Sequence, residues 1–276
     1  MFCQVCEGEI ESLGNKFDVP IGCCHLCGSI SAACEEPQQD FYEDSYFGGG
    51  PYGYFDENRP TLNVNALDAS ALRRITFLNG VSKVIEVGAG GGSFVKAGLN
   101  FGLNMIGVER SLKMRNNAQK SYGIQLYSEI PSMPDGAISI ALIEVIEHVK
   151  SPQIFLNQLF ESIGQISEKL LITTPNGEAC RVLGLSWNQI KPPEHLILYT
   201  SEGLNCLVTK FGYKRIKFVF YHSVWLASSL RLFGSYSNRR FPLIWCFSSF
   251  LRLFDKLICG VLPRRYSLGL ECYCEK

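Results

Sequence analysis

Four cysteines near the start of the chain stand as two Cys-x-x-Cys pairs, Cys3 with Cys6 and Cys24 with Cys27. Each pair can sit on one tight turn, and four thiolates brought together close a tetrahedral zinc site. Gly8 and Gly28 follow the pairs and suit such turns. A disulfide is disfavoured in a reducing compartment, and a redox Cys-x-x-Cys needs no twin. Structural zinc on Cys3, Cys6, Cys24 and Cys27 is therefore expected. His25 reads as a bystander, as does Cys23 unless a shifted turn lets it replace Cys24. Cys180, Cys206, Cys246, Cys259, Cys272 and Cys274 stand among apolar residues and read as small core side chains.

A second group centres on VIEVGAGGGSF, residues 84–94. An aliphatic run reaches Glu86, and Gly88, Ala89, Gly90 and Gly92 lie in a Gly-x-Gly-x-Gly turn. Glycines let a backbone turn sharply and approach a ligand closely. The dinucleotide fingerprint would need its third glycine where Ser93 stands. Glu86 would also repel a pyrophosphate, whereas it suits the ammonium and sulfonium of S-adenosylmethionine. Glu109 lies 21 positions after Gly88, where an acid can accept hydrogen bonds from both ribose hydroxyls. Its ordinary alternative is a solvated acid paired with Arg110 or Lys113.

Two Glu-His pairs complete the chemistry, Glu147-His148 and Glu194-His195. A carboxylate beside an imidazole tunes its pKa or fixes its tautomer, so either histidine could take a proton from a hydroxyl. The alternative is that they close their loops by hydrogen bonding. His25 and His222 read as structural.

These groups need elements to hold them. The pattern predicts an α/β fold, a doubly wound, Rossmann-like sheet of seven strands. Strands are expected over residues 83–87, 105–108, 125–127, 137–145, 169–173, 214–220 and 266–275. Helices are expected over 93–100, 112–121, from Ser151-Pro152, and from Ser201 to a glycine end at Gly212. A further helical face carries Leu67, Ala71, Leu72, Ile75 and Leu78. The expected divisions are a zinc-ribbon module at 1–40, an aromatic and glycine-rich linker or lid at 41–60, and an α/β domain at 61–276 with a helical insert at about 222–264.

Lys plus Arg and Asp plus Glu both number 26. That balance argues against a nucleic-acid partner, which normally demands a basic excess. The acidic, cysteine-bearing start does not read as a signal peptide, so a cytoplasmic protein is expected. The apolar stretches at 218–230 and 241–251 are shorter than the ~20 residues of a membrane span. Arginines among aromatics there leave a peripheral membrane contact open, and the oligomeric state is open too.

The segment E-x-G-x-G-x-G, the acid Glu109 and ALIEVIEHV together resemble class I S-adenosylmethionine-dependent methyltransferases, especially those similar to ubiquinone-biosynthesis O-methyltransferases. The resemblance covers residues 62–220. It implies that Glu86 and the glycines hold the methionine end, Glu109 the ribose, and Ser128-Glu129 the adenine, with Arg110 and Glu144 lining the same site. It implies catalytic roles for His195, Glu194 and His148. E-x-x-E-H is similar to a segment that binds magnesium or manganese in some of these enzymes, which would use Glu144, Glu147 and His148. The cysteine module and W-x(n)-P-P-E-H-L resemble bacterial polysaccharide and deoxysugar methyltransferases. The sugar C-methyltransferases carry a large additional C-terminal domain that is not expected here, so O-methylation of a sugar hydroxyl in a glycan or its nucleotide- or lipid-linked precursor is expected. C-methylation of a ketosugar, O-methylation of a small aromatic or quinone precursor, and a catalytically silent binding module are the alternatives. Trp187, Tyr42, Tyr46, Tyr52 and Tyr54 would flank the acceptor or pack as a lid.

Overall fold

A computed structural model describes residues 2–37, 41, 69–132, 136–164, 167–223 and 264–276. The expected linker beyond Phe41, with its four tyrosines, and residues 224–263 of the expected insert lie outside them.

β4 (Lys83–Val87), β6 (Ile138–Ile143) and β7 (Lys169–Pro175) read KVIEV, ISIALI and KLLITTP. Such continuous apolar runs belong to strands covered on both faces. They join β5 (Met105–Val108), β9 (Arg215–Ser223) and β10 (Ser267–Glu275) in one sheet ordered β5-β4-β6-β7-β10-β9. The first four in that order are parallel, and β10 runs antiparallel between β7 and β9. Side chains alternate across the sheet. Val84 packs with α1 (Ala69–Leu78), α2 (Ser93–Asn100) and α3 (Leu112–Tyr122), while Ile85 packs with α4 (Pro152–Ser162) and α6 (Ser201–Thr209). A short helix, α5 (Cys180–Leu183), follows β7.

Three local expectations change. The third strand, expected at 125–127, is a single parallel bridge from Tyr127 to Val108, so the described sheet has six strands. Ile124 and Leu126 are buried against Gly92 and Gly107, and the chain is exposed again at Ser128, which leaves one residue in pairing register. Ser151 stands at the N-cap of α4 without a side-chain capping bond, whereas Ser111 and Thr200 do cap α3 and α6. Leu72 is 44% exposed although Ile75 and Leu78 of the same helix are buried.

A second sheet contains β1 (Ile10–Lys16), β2 (Val19–Cys24) and β3 (Ile30–Ala32) from the cysteine module. Its fourth strand, β8 (Ile197–Leu198), begins two residues after His195 and, among the described residues, pairs with β3 alone. The module and the α/β domain therefore share a sheet. Among the described residues, no helix is long and apolar enough to cross a membrane.

Candidate functional site

The strand order reverses between β4 and β6, and such a switch point opens a crevice at the carboxyl ends of the strands. The glycine turn lies there. Gly88 and Gly90 have φ of 73° and 51°, a region that favours glycine. A Cβ on Gly88 would stand 2.6 Å from Val145 Cγ2, so the loop after β6 leans on the turn. Among the described residues, a Cβ on Gly90 would meet nothing within 4 Å.

Glu86 is buried, and its Oε2 has no hydrogen-bond partner among the described residues. Burial, then the charge of Glu109, pushes its pKa up to about 8. A buried carboxylate left in that state is costly, and an arriving cation relieves it. Glu109 is buried too, which sets aside a solvated surface acid. Its Oε2 accepts from Gly90 N–H and its Oε1 from Ser111 N–H, both at 2.8 Å. Those bonds aim the carboxylate, and each oxygen has a further lone pair for a ribose hydroxyl. Orphaned acid, open glycine cradle and oriented second acid fit S-adenosylmethionine. Arg110, Ser128 and Glu129 are exposed. Ser128 and Glu129 follow the Tyr127 bridge, which sets them beside the end of β5.

The loop after β6 opens at Glu144, a non-glycine residue with φ of 54°. Such a conformation persists only where its surroundings enforce it. Here Thr173 Oγ1 donates to Glu144 Oε1 at 2.9 Å and Tyr221 O–H donates to the same oxygen at 3.4 Å. A single helical turn, Ile146–His148, then meets the loop after β7. His148 Nδ1 bonds Glu194 O at 2.8 Å, and Leu196 N–H donates to Glu147 O at 2.8 Å. His195 Nδ1 bonds Gln189 O at 2.8 Å. A carbonyl only accepts, so Nδ1 carries the proton in His195 and Nε2 is its basic nitrogen, whereas His148 meets the carbonyls of both Glu194 and Glu144. The ring centroids lie 4.9 Å apart at 70°.

Burial holds both imidazoles neutral, lowering His148 to about 4 and His195 well below its ordinary value. Glu194 Oε1 lies 2.5 Å from Lys191 Nζ and 3.5 Å from His195 Nε2. Glu147 is fully buried, neither carboxylate oxygen is hydrogen-bonded among the described residues, and burial followed by the Glu144 charge pushes its pKa well up. Glu147, His148 and His195 each bring one ligand atom within 4.8 Å of the others. Glu144, expected to join a magnesium or manganese set, is instead engaged by Thr173 and Tyr221, and the residues that gather are Glu147, His148 and His195. Two imidazoles and one carboxylate suit a transition metal better than magnesium.

At the other end of β8, Cys3, Cys6, Cys24 and Cys27 bring their sulfurs within 4.8 Å of one another. Cys3 Sγ is 3.7 Å from Cys27 Sγ, and Cys6 Sγ is 3.4 Å from Cys24 Sγ. Four sulfurs at ~2.3 Å from zinc stand about 3.8 Å apart, so the cluster fits that ion. One thiol hydrogen bond couples Cys3 and Cys27, lowering the first and raising the second, so one proton is shared between them until an ion displaces it. The left-handed turn residues are Glu7, at φ 66°, and Gly28, at φ 70°, so the first turn does not use Gly8 as expected. A Cβ on Gly8 would instead lie 3.0 Å from Cys24 Sγ. Cys23 points its sulfur at main-chain oxygens of Cys24 and Gly28, outside the cluster, and His25 faces Glu11.

A family described as a methyltransferase domain matches residues 55–217. The chain belongs to that methyltransferase family. No curated protein matches this methyltransferase. Among solved structures it is similar to a SAM dependent methyltransferase from Archaeoglobus fulgidus, at 17% identity and a TM-score of 0.52, over 75% of this chain and 92% of that one. The methyltransferase domain of bacterial CtHen1-C is 17% identical with a TM-score of 0.49, over 77% and 98% of the two chains. A possible histamine N-methyltransferase from Thermotoga maritima is 15% identical with a TM-score of 0.44, over 75% and 88%. At such identities the likeness is one of fold. Family and fold together support methyl transfer from S-adenosylmethionine.

One feature of this methyltransferase had no signal in the sequence. Arg73 and Arg74 of α1 clasp Glu271 of β10 at 2.6 and 2.7 Å, and the Arg74 guanidinium lies 5.9 Å from the Tyr221 ring that reaches Glu144. Trp187, expected at the acceptor or in a packed lid, is buried with Ile21 and Ile30 of the cysteine module.

Proposed function

We propose that this methyltransferase moves the methyl group of S-adenosylmethionine to a sugar hydroxyl, in a bacterial glycan or its nucleotide- or lipid-linked precursor. The observation that carries the O-methyl assignment is the buried, neutral His195 imidazole whose Nδ1 proton is committed to a main-chain carbonyl. S-adenosylmethionine supplies an electrophilic methyl group on a sulfonium. His195 Nε2 takes the hydroxyl proton as the acceptor oxygen bonds to the methyl carbon, and the carbon–sulfur bond breaks to leave a neutral thioether. His148 serves as the neighbouring polar contact, and Glu194 faces the imidazolium that forms. Glu86 pairs with the cofactor's positive charge, Glu109 holds its ribose, and Ser128-Glu129 borders its adenine. Cys3, Cys6, Cys24 and Cys27 hold one structural zinc.

The orphaned oxygen of Glu86 speaks against a silent module, since nothing in such a protein would offset its cost. A second reading is favoured by the gathering of Glu147, His148 and His195. A divalent cation held there would orient an acceptor oxygen, as a catechol or quinone precursor would require. The test is transfer of labelled methyl to a panel of sugar nucleotides and catechols, with His195→Ala, His148→Ala and chelation that spares the zinc. Sugar methylation lost about 100-fold in His195→Ala and indifferent to chelation supports the first reading. Catechol methylation abolished by chelation replaces it with the second.

A further inference from the structure

We infer that the cysteine module is a positioning element for the histidine site: it holds the segment bearing Glu194 and His195 in place, and its closure sets the geometry of Glu147, His148 and His195. The inference deepens the zinc reading and rests on it for one arm of the test only.

A continuous main-chain path joins the two sites. Ala32 N–H of β3 donates to Leu196 O at 2.9 Å, and Leu196 N–H donates to Glu147 O at 2.8 Å. Leu196 is thus held by the module through its carbonyl and holds the loop after β6 through its amide. Register continues beyond it, with Ser31 opposite Ile197 and Ile30 opposite Leu198. A strand of two residues has no stability of its own, and β3 is the neighbour that β8 has in its sheet.

Side chains repeat the same connection. Thr200 Oγ1 donates to Cys27 O while accepting Gly203 N–H at the start of α6, so one hydroxyl ties a cysteine turn to a helix end. Trp187 and Ile190 are buried against Ile21 and Ile30, and between them lies Gln189, whose carbonyl fixes the His195 tautomer. Lys16 Nζ donates to the carbonyls of Leu185 and Trp187 at 2.5 and 3.1 Å. The histidine that carries the chemistry is therefore bonded to a segment whose apolar anchors and strand partner come from the module. Glu86 and Glu109, by contrast, are held by β4 and β5 and by the glycine turn. The module itself is too small to keep its form by apolar burial, so whatever closes the four-cysteine cluster also sets β3.

The experiment uses the full chain with Trp187 as its sole tryptophan (Trp225→Phe, Trp245→Phe). Ala32→Pro removes the one N–H given to Leu196, and Ala32→Ser keeps it. Read out are zinc content, calorimetric S-adenosylmethionine affinity, Trp187 emission, amide exchange at residues 196–198, and the nitrogen spectrum of the His195 ring. In Ala32→Pro, zinc and cofactor affinity are expected to stay within about 2-fold of the parent. Exchange at 196–198 should rise about 10-fold or more, emission should shift to the red, and the single Nδ1–H tautomer should become a mixture. Ala32→Ser should match the parent, and stripping zinc from the parent should reproduce Ala32→Pro. Unchanged exchange and an unchanged tautomer in Ala32→Pro would overturn the inference. A parent that carries no zinc and ignores chelator removes the zinc reading alone, and Ala32→Pro then decides the positioning role by itself.

Discussion

Glu86 is a carboxylate that water no longer solvates, and no described residue satisfies one of its oxygens before a ligand arrives. With its pKa near 8 it is mainly protonated at neutral pH. A cation bound beside it favours the ionised form, so cofactor binding at pH 7 should release close to one proton and tighten as pH rises toward 8. Calorimetry in buffers of different protonation enthalpy reads that release directly. Glu86→Gln should abolish it and weaken binding by about 10- to 100-fold, one to two steps of ~1.4 kcal/mol. The sign for stability is the reverse. A folded-state pKa above the unfolded one gives stability that is full below the unfolded value and is lost as pH rises through 8. Ligand-free Glu86→Gln should therefore melt above the parent at pH 8 to 9, and at or below it near pH 5.

The glycine turn separates two kinds of constraint that a motif alone merges. At Gly88 a methyl group would meet both a left-handed backbone and Val145 Cγ2 at 2.6 Å. Gly88→Ala should cost about 2–4 kcal/mol in urea unfolding, combining backbone strain with overpacking. At Gly90 the backbone is left-handed but, among the described residues, a Cβ would meet nothing within 4 Å. Gly90→Ala should cost only about 1–2 kcal/mol, while its methyl intrudes where the cofactor must approach and lowers affinity more than Gly88→Ala lowers it per unit of stability lost. Equal ratios of affinity to stability in the two variants would show that the turn is shaped by folding and not by a ligand.

Across the whole molecule, the α1–β10 clasp and the shared small sheet bring distant segments of the chain together. Glu271 is fully buried and receives two guanidinium groups from consecutive residues of α1. Removing one partner of a buried ion pair is much worse than never having had it, because the other charges lose their compensation. Glu271→Gln should destabilise the protein by about 3–5 kcal/mol in denaturant unfolding. Its second effect should be on the site, since Arg74 lies against Tyr221, which reaches Glu144. A loss below about 1 kcal/mol would mean that the clasp acts as a surface pair.

Local chemistry was legible from the chain alone wherever it rests on short-range geometry. The strand–glycine–helix unit at Lys83–Val87 and Ser93–Asn100 falls where the aliphatic run and the glycines put it, because apolar runs and turn residues act over a few positions. The four cysteines are likewise grouped by spacing, and Glu109 by its place at a strand end. Three things needed the tertiary structure. The third strand shrank to one bridge, since pairing length depends on what the neighbouring strand offers and not on the segment's own propensity. His195 came together with Glu147 and His148 while Glu144 turned to Thr173, because loops after two different strands decide which side chains converge. Finally, β8 joined the cysteine module to the histidine loop through main-chain bonds that carry no side-chain signature. Residue types and spacing determine what chemistry a segment can do; which segments meet is settled by burial summed over the whole chain.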